Sequence, residues 1–394
     1  MNMYRIRFME TIVVVLSTVI MLQRCSSTEK NGESKEASAH ADFSIGEVDS
    51  IIVDYPQKLV FIDFSEVHEL FLFLSSSQEL VLVNPNGEIS TVLKVIGDSP
   101  DKCGRRINHA TFDKDGDIVI ASERAFSFFN LEGEKIKEDV TPNFDMIYVG
   151  ADKRMQIVEM DGRQMAVLEP KAPYIDFDPT SFEYENIKTY MENHKSRTIY
   201  DLERNQVHSR NFGNEEGSIH LKLDYRYRDK GYRLCYDEDE NKYYMINNPE
   251  HIIYTYSLKG NDYVLEDRIK LSPDHFRYVK KFELTEFSGE SIDQALKYNS
   301  NYLELATSND KIFVFYRQGI PETPEEVTVQ EAISRSDNYL MILDKQGTKL
   351  GEDILLPTDF RYLFYVDEEE NLYFYPKRER PDYELFYKVK TGSL

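Results

Sequence analysis

One acidic run has carboxylates at the spacing of a metal-binding loop, namely Asp113-Lys114-Asp115-Gly116-Asp117. A calcium loop needs further oxygen ligands at fixed positions, including a late glutamate, and no such residue is in register here. The run also separates two segments of alternating apolar residues, which is the pattern of a β-hairpin. The spacing therefore favours a hairpin corner over a calcium site.

A serine in the run Gly97-Asp98-Ser99 resembles the nucleophile of GDS-type esterases. That chemistry needs a histidine to orient the serine, usually with an aspartate, and an oxyanion hole. Here Pro100 follows the serine, and the pair Asp274-His275 lacks the spacing of those esterases. A loop that connects two strands is the favoured interpretation of this run.

Other enzyme signatures are missing from the sequence. It contains no G-x-S-x-G, H-E-x-x-H, Walker or Rossmann pattern, and its 8 histidines form no close ligand pair. No metal or cofactor is therefore predicted. A glycosidase needs two carboxylates at a set separation, and 70 acidic residues leave that choice open. Catalysis is thus uncertain, and a protein that is not an enzyme is favoured.

The composition narrows the class of partner. The net charge of −23 argues against nucleic acid as a ligand, because phosphate-backbone binding needs surplus lysine and arginine. The chain has 27 tyrosines and 23 phenylalanines but no tryptophan. This aromatic content favours β-strands, while the lack of tryptophan weakens a carbohydrate site without excluding one.

The N-terminal residues have the pattern of an export signal. Arg5 and Arg7 precede the apolar run Thr11–Leu22, which is too short to span a bilayer. The run ends before Cys25 in a segment that resembles the lipobox of bacterial lipoproteins, although Arg24 stands where that pattern has a small residue. The resemblance predicts a signal peptide (1–24), a lipidated Cys25 with a flexible tether (25–43) and an outer-membrane lipoprotein. An uncleaved anchor or an ordinary signal is the alternative.

The rest of the chain repeats one unit: a strand, an acidic turn, a strand, a loop and a third strand, usually followed by a fourth. Repetition of a four-stranded unit predicts a β-propeller. The fold class is therefore all-β, a single six-bladed propeller domain over residues 44–394 with short helical insertions. The six predicted units are residues 61–98, 106–140, 144–215, 218–272, 275–356 and 358–391.

The ends and the insertions of the repeat carry further predictions. The chain stops on a third strand, so Ser50–Pro56 is expected to supply the missing outer strand and close the ring. Insertions are expected at 172–198 and 317–337, with a short helix at 291–298. Two cysteines follow Cys25, namely Cys103 and Cys235; free thiols are favoured, and a single disulfide is the alternative.

The blade sequence F-D-K-D-G-D-I-V-I followed by F-F-N-L-E-G, within residues 112–133, resembles NHL-type propeller blades. Six such units behind a lipoprotein-like signal resemble the six-bladed propeller lipoproteins of Bacteroidetes. Most members of that group have no known function. The resemblance implies a cell-envelope protein and names no substrate.

The topology of a propeller places several basic residues of this sequence on one face. The loops between second and third strands, and between blades, share one face, where an anionic ligand is a candidate partner. The function predicted from these features is non-catalytic binding of a peptide, glycan or envelope partner, and the alternative is a propeller hydrolase or lyase that acts on a glycan. The candidate ligand-binding residues on this face are Arg105, Arg106, Arg124, Arg317, Lys377 and Arg378.

Overall fold

The alternating segments form antiparallel strands in the computed structural model of this protein, and the strands assemble into six sheets. The signal peptide, Cys25 and all of the predicted tether except Phe43 lie outside the described residues. The structure describes residues 43–123, 125–142, 155–168, 195–213, 232–247, 250–260, 262–277, 289–321, 327–377 and 383–393.

Each sheet is one propeller blade, and the prediction of a six-bladed propeller is confirmed. The strand of the N-terminal segment is β1 (Phe43–Val53). The first three blades contain β2 (Leu59–Ser65), β3 (Leu70–Ser75), β4 (Leu80–Val83) and β5 (Ile89–Leu93); β6 (Ile107–Phe112), β7 (Ile118–Ser122) and β8 (Phe126–Phe129); and β9 (Gln156–Met160), β10 (Arg163–Leu168), β11 (Lys195–Asp201) and β12 (Gln206–Gly213). The last three contain β13 (Tyr232–Asp237), β14 (Lys242–Asn247), β15 (Ile252–Lys259) and β16 (Asp262–Lys270); β17 (Asn301–Ser308), β18 (Lys311–Arg317), β19 (Asn338–Asp344) and β20 (Ile354–Leu355); and β21 (Phe360–Val366), β22 (Asn371–Pro376) and β23 (Glu384–Ser393).

The described residues include two helices, and both lie in or beside the predicted insertions. Helix α1 spans Gly289–Tyr298, which confirms the helix expected at 291–298. Helix α2 spans Val329–Arg335 and begins with a capping box, in which Thr328 and Glu331 satisfy each other's backbone N–H groups. No helix in the described part of the chain is long and apolar enough to cross a membrane.

The fifth-blade insertion lies where the sequence pattern placed it, and the third-blade insertion ends earlier than predicted. Arg317 is the last residue of β18 and Asn338 is the first residue of β19, so the fifth-blade insertion lies between them. In the third blade, β11 begins at Lys195, and the end of the predicted 172–198 insertion is therefore a strand. This strand was missed because its sequence, KSRTIYD, is polar at its start and shows little alternation. The remainder of that insertion lies outside the described residues.

The first turns of the six blades share one feature, a residue with positive φ. The acidic run at 113–117 is the corner between β6 and β7, where Asp113 accepts hydrogen bonds from the backbone N–H groups of Asp115 and Asp117 at 3.0 Å. The hairpin prediction is therefore confirmed. Each turn has a residue with positive φ near its end, a conformation that glycine and asparagine adopt at least cost. These residues are Glu69, Gly116, Asp161 with Gly162, Asn241, Asn309 and Glu370.

The core consists of apolar clusters between neighbouring blades. One example joins the first and last blades, where the rings of Phe73 and Phe386 stack with centroids 5.0 Å apart. A corresponding cluster lies at each of the other five junctions. Burial of each large apolar side chain contributes about 1.5–3 kcal/mol, so the blades stabilise one another around the ring.

The ring closes through the N-terminal strand. Strand β1 pairs antiparallel with β23 from Phe43↔Ser393 to Val53↔Glu384, and the sheet order is β1-β23-β22-β21. The prediction that an N-terminal strand completes the last blade is confirmed. The strand ends at Val53 and begins at Phe43, however, so it lies earlier than the predicted Ser50–Pro56. The prediction missed the first half of the strand because its side chains are partly or fully exposed and do not alternate between apolar and polar.

Candidate functional site

A cavity of about 520 Å³ lies where the first strands of the blades end. These strands are β2, β6, β9, β13, β17 and β21, and they all run towards the same end of the propeller because every blade has the same antiparallel order. All six blades therefore contribute to one lining, and pockets of this volume hold small ligands in other proteins. One lining residue from each blade is Asp63, Thr111, Val158, Asp237, Thr307 and Val366.

The lining is strongly acidic, with eight acidic residues and one basic residue. Several of these carboxylates have partners within the fold. Asp63 accepts a hydrogen bond from the backbone N–H of Phe112 at 2.9 Å, and Glu159 pairs with Lys114 at 2.6 Å. Such contacts join neighbouring blades and explain these acids as part of the scaffold.

Four further carboxylates have no such role. Within the described residues, the side chains of Glu66, Glu238, Asp239 and Glu368 make no hydrogen bond or ion pair. They come from the first, fourth and last blades and are exposed to water in the mouth of the cavity. These acidic side chains are therefore available to a ligand.

Two of these carboxylates, Glu66 and Glu238, have raised pKa values. Desolvation raises the pKa of Glu66, and the charges of Glu368 and Asp239 raise it further. Desolvation, followed by the charges of Asp63, Glu66 and other acids, raises the pKa of Glu238 to about 7. Glu238 is open to water within the cavity, but protein surrounds it on most sides, and this explains the effect of desolvation. The mouth thus holds negative charges that repel one another.

Aromatic rings form one wall of the same cavity. The ring of Tyr365 lies 4.8 Å from Phe64 and 5.8 Å from Phe61, measured between centroids. Burial and the nearby charge of Glu66 raise the pKa of the Tyr365 phenol, which therefore stays protonated at neutral pH. This wall places aromatic rings next to carboxylates.

The two cysteines that follow Cys25 are both free. Cys103 is buried in the core between the first two blades, where desolvation raises the pKa of its thiol to about 11. Cys235 lies in the cavity lining, with its sulfur 3.5 Å from the hydroxyl of Thr307. Of the two alternatives from the sequence, the structure therefore has free thiols.

Part of the predicted basic site lies between the first two blades. The backbone N–H groups of Arg105 and Arg106 donate to the Glu123 carboxylate at 3.0 and 3.1 Å. The side chain of Arg105 is exposed and lies 3.5 Å from Asp98. This loop is at the far end of the strands from the acidic cavity.

The other basic candidates belong to the last two blades. Arg317 is buried and donates to the carbonyl of Leu296 at 2.8 Å. Lys377 lies 3.4 Å from the carbonyl of Ser336, and desolvation lowers its pKa, with Arg317 contributing in the same direction. Arg124 and Arg378 lie outside the described residues, so a basic site built from all six residues stays a prediction.

Sequence reasoning did not identify the acidic cavity. The acidic turns at Asp237–Glu240 and Asp367–Glu370 are not among the ligand-binding residues predicted from the sequence. Phe64 and Glu66 were not selected at all. The available signal was that an acidic residue follows the first strand in several blades, among them the first, second and fourth, and that Phe64 and Tyr365 each lie one residue before the end of theirs.

The fold and the cavity define this protein as a six-bladed β-propeller with a ligand-sized acidic opening at one end of its inner strands. Its structure is similar to that of a member of the DUF4221 family from Bacteroides vulgatus, with a TM-score of 0.63, 12% identity, and coverage of 90% of this chain and 100% of that one. It is also similar to a candidate exported protein from Bacteroides fragilis, with a TM-score of 0.52, 10% identity, and coverage of 90% and 96%.

No protein-family model matches the sequence, and no curated protein matches it. At 10–12% identity, the similarity to the two Bacteroides structures establishes the shared fold alone. The predicted resemblance to six-bladed propeller proteins of Bacteroidetes is confirmed at that level.

Proposed function

We propose that this chain is an exported, lipid-anchored propeller that acts as a non-catalytic binding protein, and that its ligand occupies the acidic cavity. The observation that carries this proposal is a cavity of about 520 Å³ lined by all six blades, with carboxylates that the fold leaves unpaired among the described residues. A rigid ring of blades holds these groups in place without a ligand. Such preorganisation lowers the entropy lost on binding.

The cellular location rests on the N-terminal sequence. Arg5, Arg7 and the apolar run before Cys25 support export and lipid attachment, and the Ser/Glu/Lys-rich segment that follows supports a tether. We place the propeller at the outer membrane, on its periplasmic side or at the cell surface. Its partners there are peptides, glycans or proteins of the envelope.

The cavity can be blocked by one large side chain. Thr307 lies at the end of β17 in the cavity lining, so Thr307→Trp is expected to fill the space where a ligand would lie. Thr358→Trp is the matched control, because Thr358 is exposed in the turn before β21, at the opposite end of the inner strands.

A thermal-shift screen with peptides, glycans and small molecules tests the proposal. A ligand at a hundredfold excess over its Kd stabilises the folded state by about 2.7 kcal/mol. This shift should appear in the wild type and in Thr358→Trp, and it should disappear in Thr307→Trp. If every ligand stabilises Thr307→Trp as much as the wild type, the cavity is not the binding site.

A propeller hydrolase or lyase that acts on a glycan is the second candidate, and one observation favours it. Glu238 has a pKa of about 7 and interacts electrostatically with Asp63 and Glu66. A protonated carboxylic acid near ionised carboxylates is the arrangement that general acid catalysis uses. Release of reducing ends from envelope glycans by the wild type and its loss in Glu238→Gln would support this function; equal release by both proteins would exclude this role for Glu238.

A further inference from the structure

The carboxylates that line the cavity differ in whether a cation of the protein neutralises them. Two of the lining carboxylates that join blades pair with a cation: Lys345 lies 2.5 Å from Asp237, and Lys114 lies 2.6 Å from Glu159. Within the described residues, no cation pairs with Glu66, Glu238 or Glu368. The mouth therefore has an excess of negative charge that a ligand can neutralise.

These carboxylates surround the opening and do not converge at one point. Glu66 follows β2 in the first blade, Glu368 follows β21 in the adjacent last blade, and Glu238 follows β13 in the fourth blade, half a ring away from Glu66. Among the described residues, no three acidic, histidine or cysteine side chains are close enough together to hold a metal ion. Dispersed charges suit an extended cation better than a small metal ion.

The aromatic wall is a second feature that selects a type of ligand. Phe64 and Tyr365 both line the cavity, and their ring centroids lie 4.8 Å apart. Aromatic faces attract ammonium groups through the ring quadrupole and also pack against alkyl chains. Tyr365 experiences the charge of Glu66, so the rings and the carboxylates border the same space.

We propose that the cavity binds an organic cation, namely a primary ammonium group on a flexible alkyl chain. An ammonium group of the ligand pairs with one or another of Glu66, Glu238 and Glu368, which lie apart around the opening, and the chain packs against Phe64 and Tyr365. This inference rests on the proposed function, because it names the ligand class of the same cavity. A polyamine and the lysine side chain of a peptide share this chemistry.

A matched set of five-carbon probes tests the charge. Calorimetry would compare 1,5-pentanediamine, 1,5-pentanediol and glutarate on the purified protein, which keep the chain length and change the end groups. The diamine is expected to bind, and the diol and glutarate are expected not to bind. Spermidine and a lysine-containing tetrapeptide amide then distinguish the two sources, since the better fitting ligand should bind more tightly.

Side-chain variants locate the binding. Each of Glu66→Gln, Glu238→Gln and Glu368→Gln should weaken diamine binding about tenfold, the usual effect of losing one charge-assisted hydrogen bond. Phe64→Leu should weaken it about two- to fivefold. Glu352→Gln is the control, because Glu352 is an exposed carboxylate that does not line the cavity, and it should bind as the wild type does.

The outcomes separate this inference from the proposed function. If glutarate or the diol binds and Thr307→Trp abolishes that binding, the cavity is the ligand site but an organic cation is not its ligand. If the diamine does not bind, or binds equally to the glutamine variants, the inference is also overturned. Displacement of the diamine by micromolar calcium would overturn it in favour of a metal site. Only insensitivity of all ligands to Thr307→Trp would remove the proposed function itself.

Discussion

The ammonium group of Lys345 lies 2.5 Å from the carboxylate of Asp237 and 3.2 Å from that of Glu240, and this contact joins the fifth blade to the fourth. Lys345 and Asp237 have side chains only 8% and 5% exposed. Burial lowers the pKa of Lys345, but its bonds to the two carboxylates outweigh burial and raise the pKa overall. The pair therefore remains charged and fixes two neighbouring turns beside the cavity.

Removal of one member of this pair should be more damaging than removal of both charges. Lys345→Met leaves a buried carboxylate without its cation, and such changes destabilise by about 3–5 kcal/mol. The double variant Lys345→Met with Asp237→Asn removes the unpaired charge and keeps the turn hydrogen bond to Glu240, so it should recover part of this loss. Urea unfolding of the two variants and the wild type measures both effects. A single variant as stable as the wild type would show that the ion pair does not stabilise the fold.

The closing strand gives a test with neighbouring isoleucines. Ile51 is 8% exposed in the junction between the first and last blades, while Ile52 points outward and is 55% exposed. Ile51→Ala should therefore lower the free energy of unfolding by about 2–5 kcal/mol, and Ile52→Ala should change it by less than about 0.5 kcal/mol. Chemical denaturation measures the difference. Equal effects of the two changes would argue against closure of the ring by β1.

The proposed binding of an organic cation should depend on pH. Because the pKa of Glu238 is raised to about 7, its carboxylate is protonated at pH 5.5 and ionised at pH 8.5. Binding of 1,5-pentanediamine should therefore strengthen as the pH rises through 7, and the diamine keeps its charge over this range. In Glu238→Gln the rise should be much smaller. Calorimetry at several pH values provides the measurement, and a flat profile for the wild type would contradict the role of Glu238.

The raised pKa of Glu238 predicts the opposite pH dependence for the stability of the protein without ligand. Since the folded state raises the pKa of Glu238 above its unfolded value, the folded state binds more protons between about pH 4.5 and 7. Stability should therefore fall as the pH rises through this window. The effect should be below about 1 kcal/mol, because water reaches the carboxylate and screens it. As the pH rises from about 4.5 to 7, the thermal melts of the wild type and Glu238→Gln should diverge, and above pH 7 the variant should remain the more stable.

Lipid attachment at Cys25 can be tested directly. Labelled fatty acid should enter the wild type and should not enter Cys25→Ala. The lipobox resemblance assigns the acylated thiol to Cys25. Membrane fractionation should then find the variant in the soluble fraction or as a precursor. The test is informative because Arg24 departs from the lipobox pattern. Equal labelling of both proteins would place the lipid elsewhere.

The sequence by itself determined the architecture. Alternation within each strand and a recurrent turn with positive φ are local properties, and they repeat along the chain six times. Pairs of strands joined by short turns can therefore be recognised from neighbouring residues, as the corner at Asp113–Asp117 and the strands β6 and β7 show. The helix α1 followed from such a local pattern, and closure by an N-terminal strand followed from the number of strands in the last unit.

Only the tertiary structure decided which side chains meet at the axis. Glu66 and Glu238 are far apart in the sequence and lie on opposite sides of one opening, and the cation that neutralises Asp237 comes from the next blade. The sequence of a single turn does not show which other turns lie beside it in the ring. A carboxylate in such a turn is therefore expected to be solvated. The ring gathers these turns around a shared space, where partial desolvation and like charges together raise the pKa of Glu238. Electrostatic coupling of this kind depends on distance in space, which local sequence patterns do not specify.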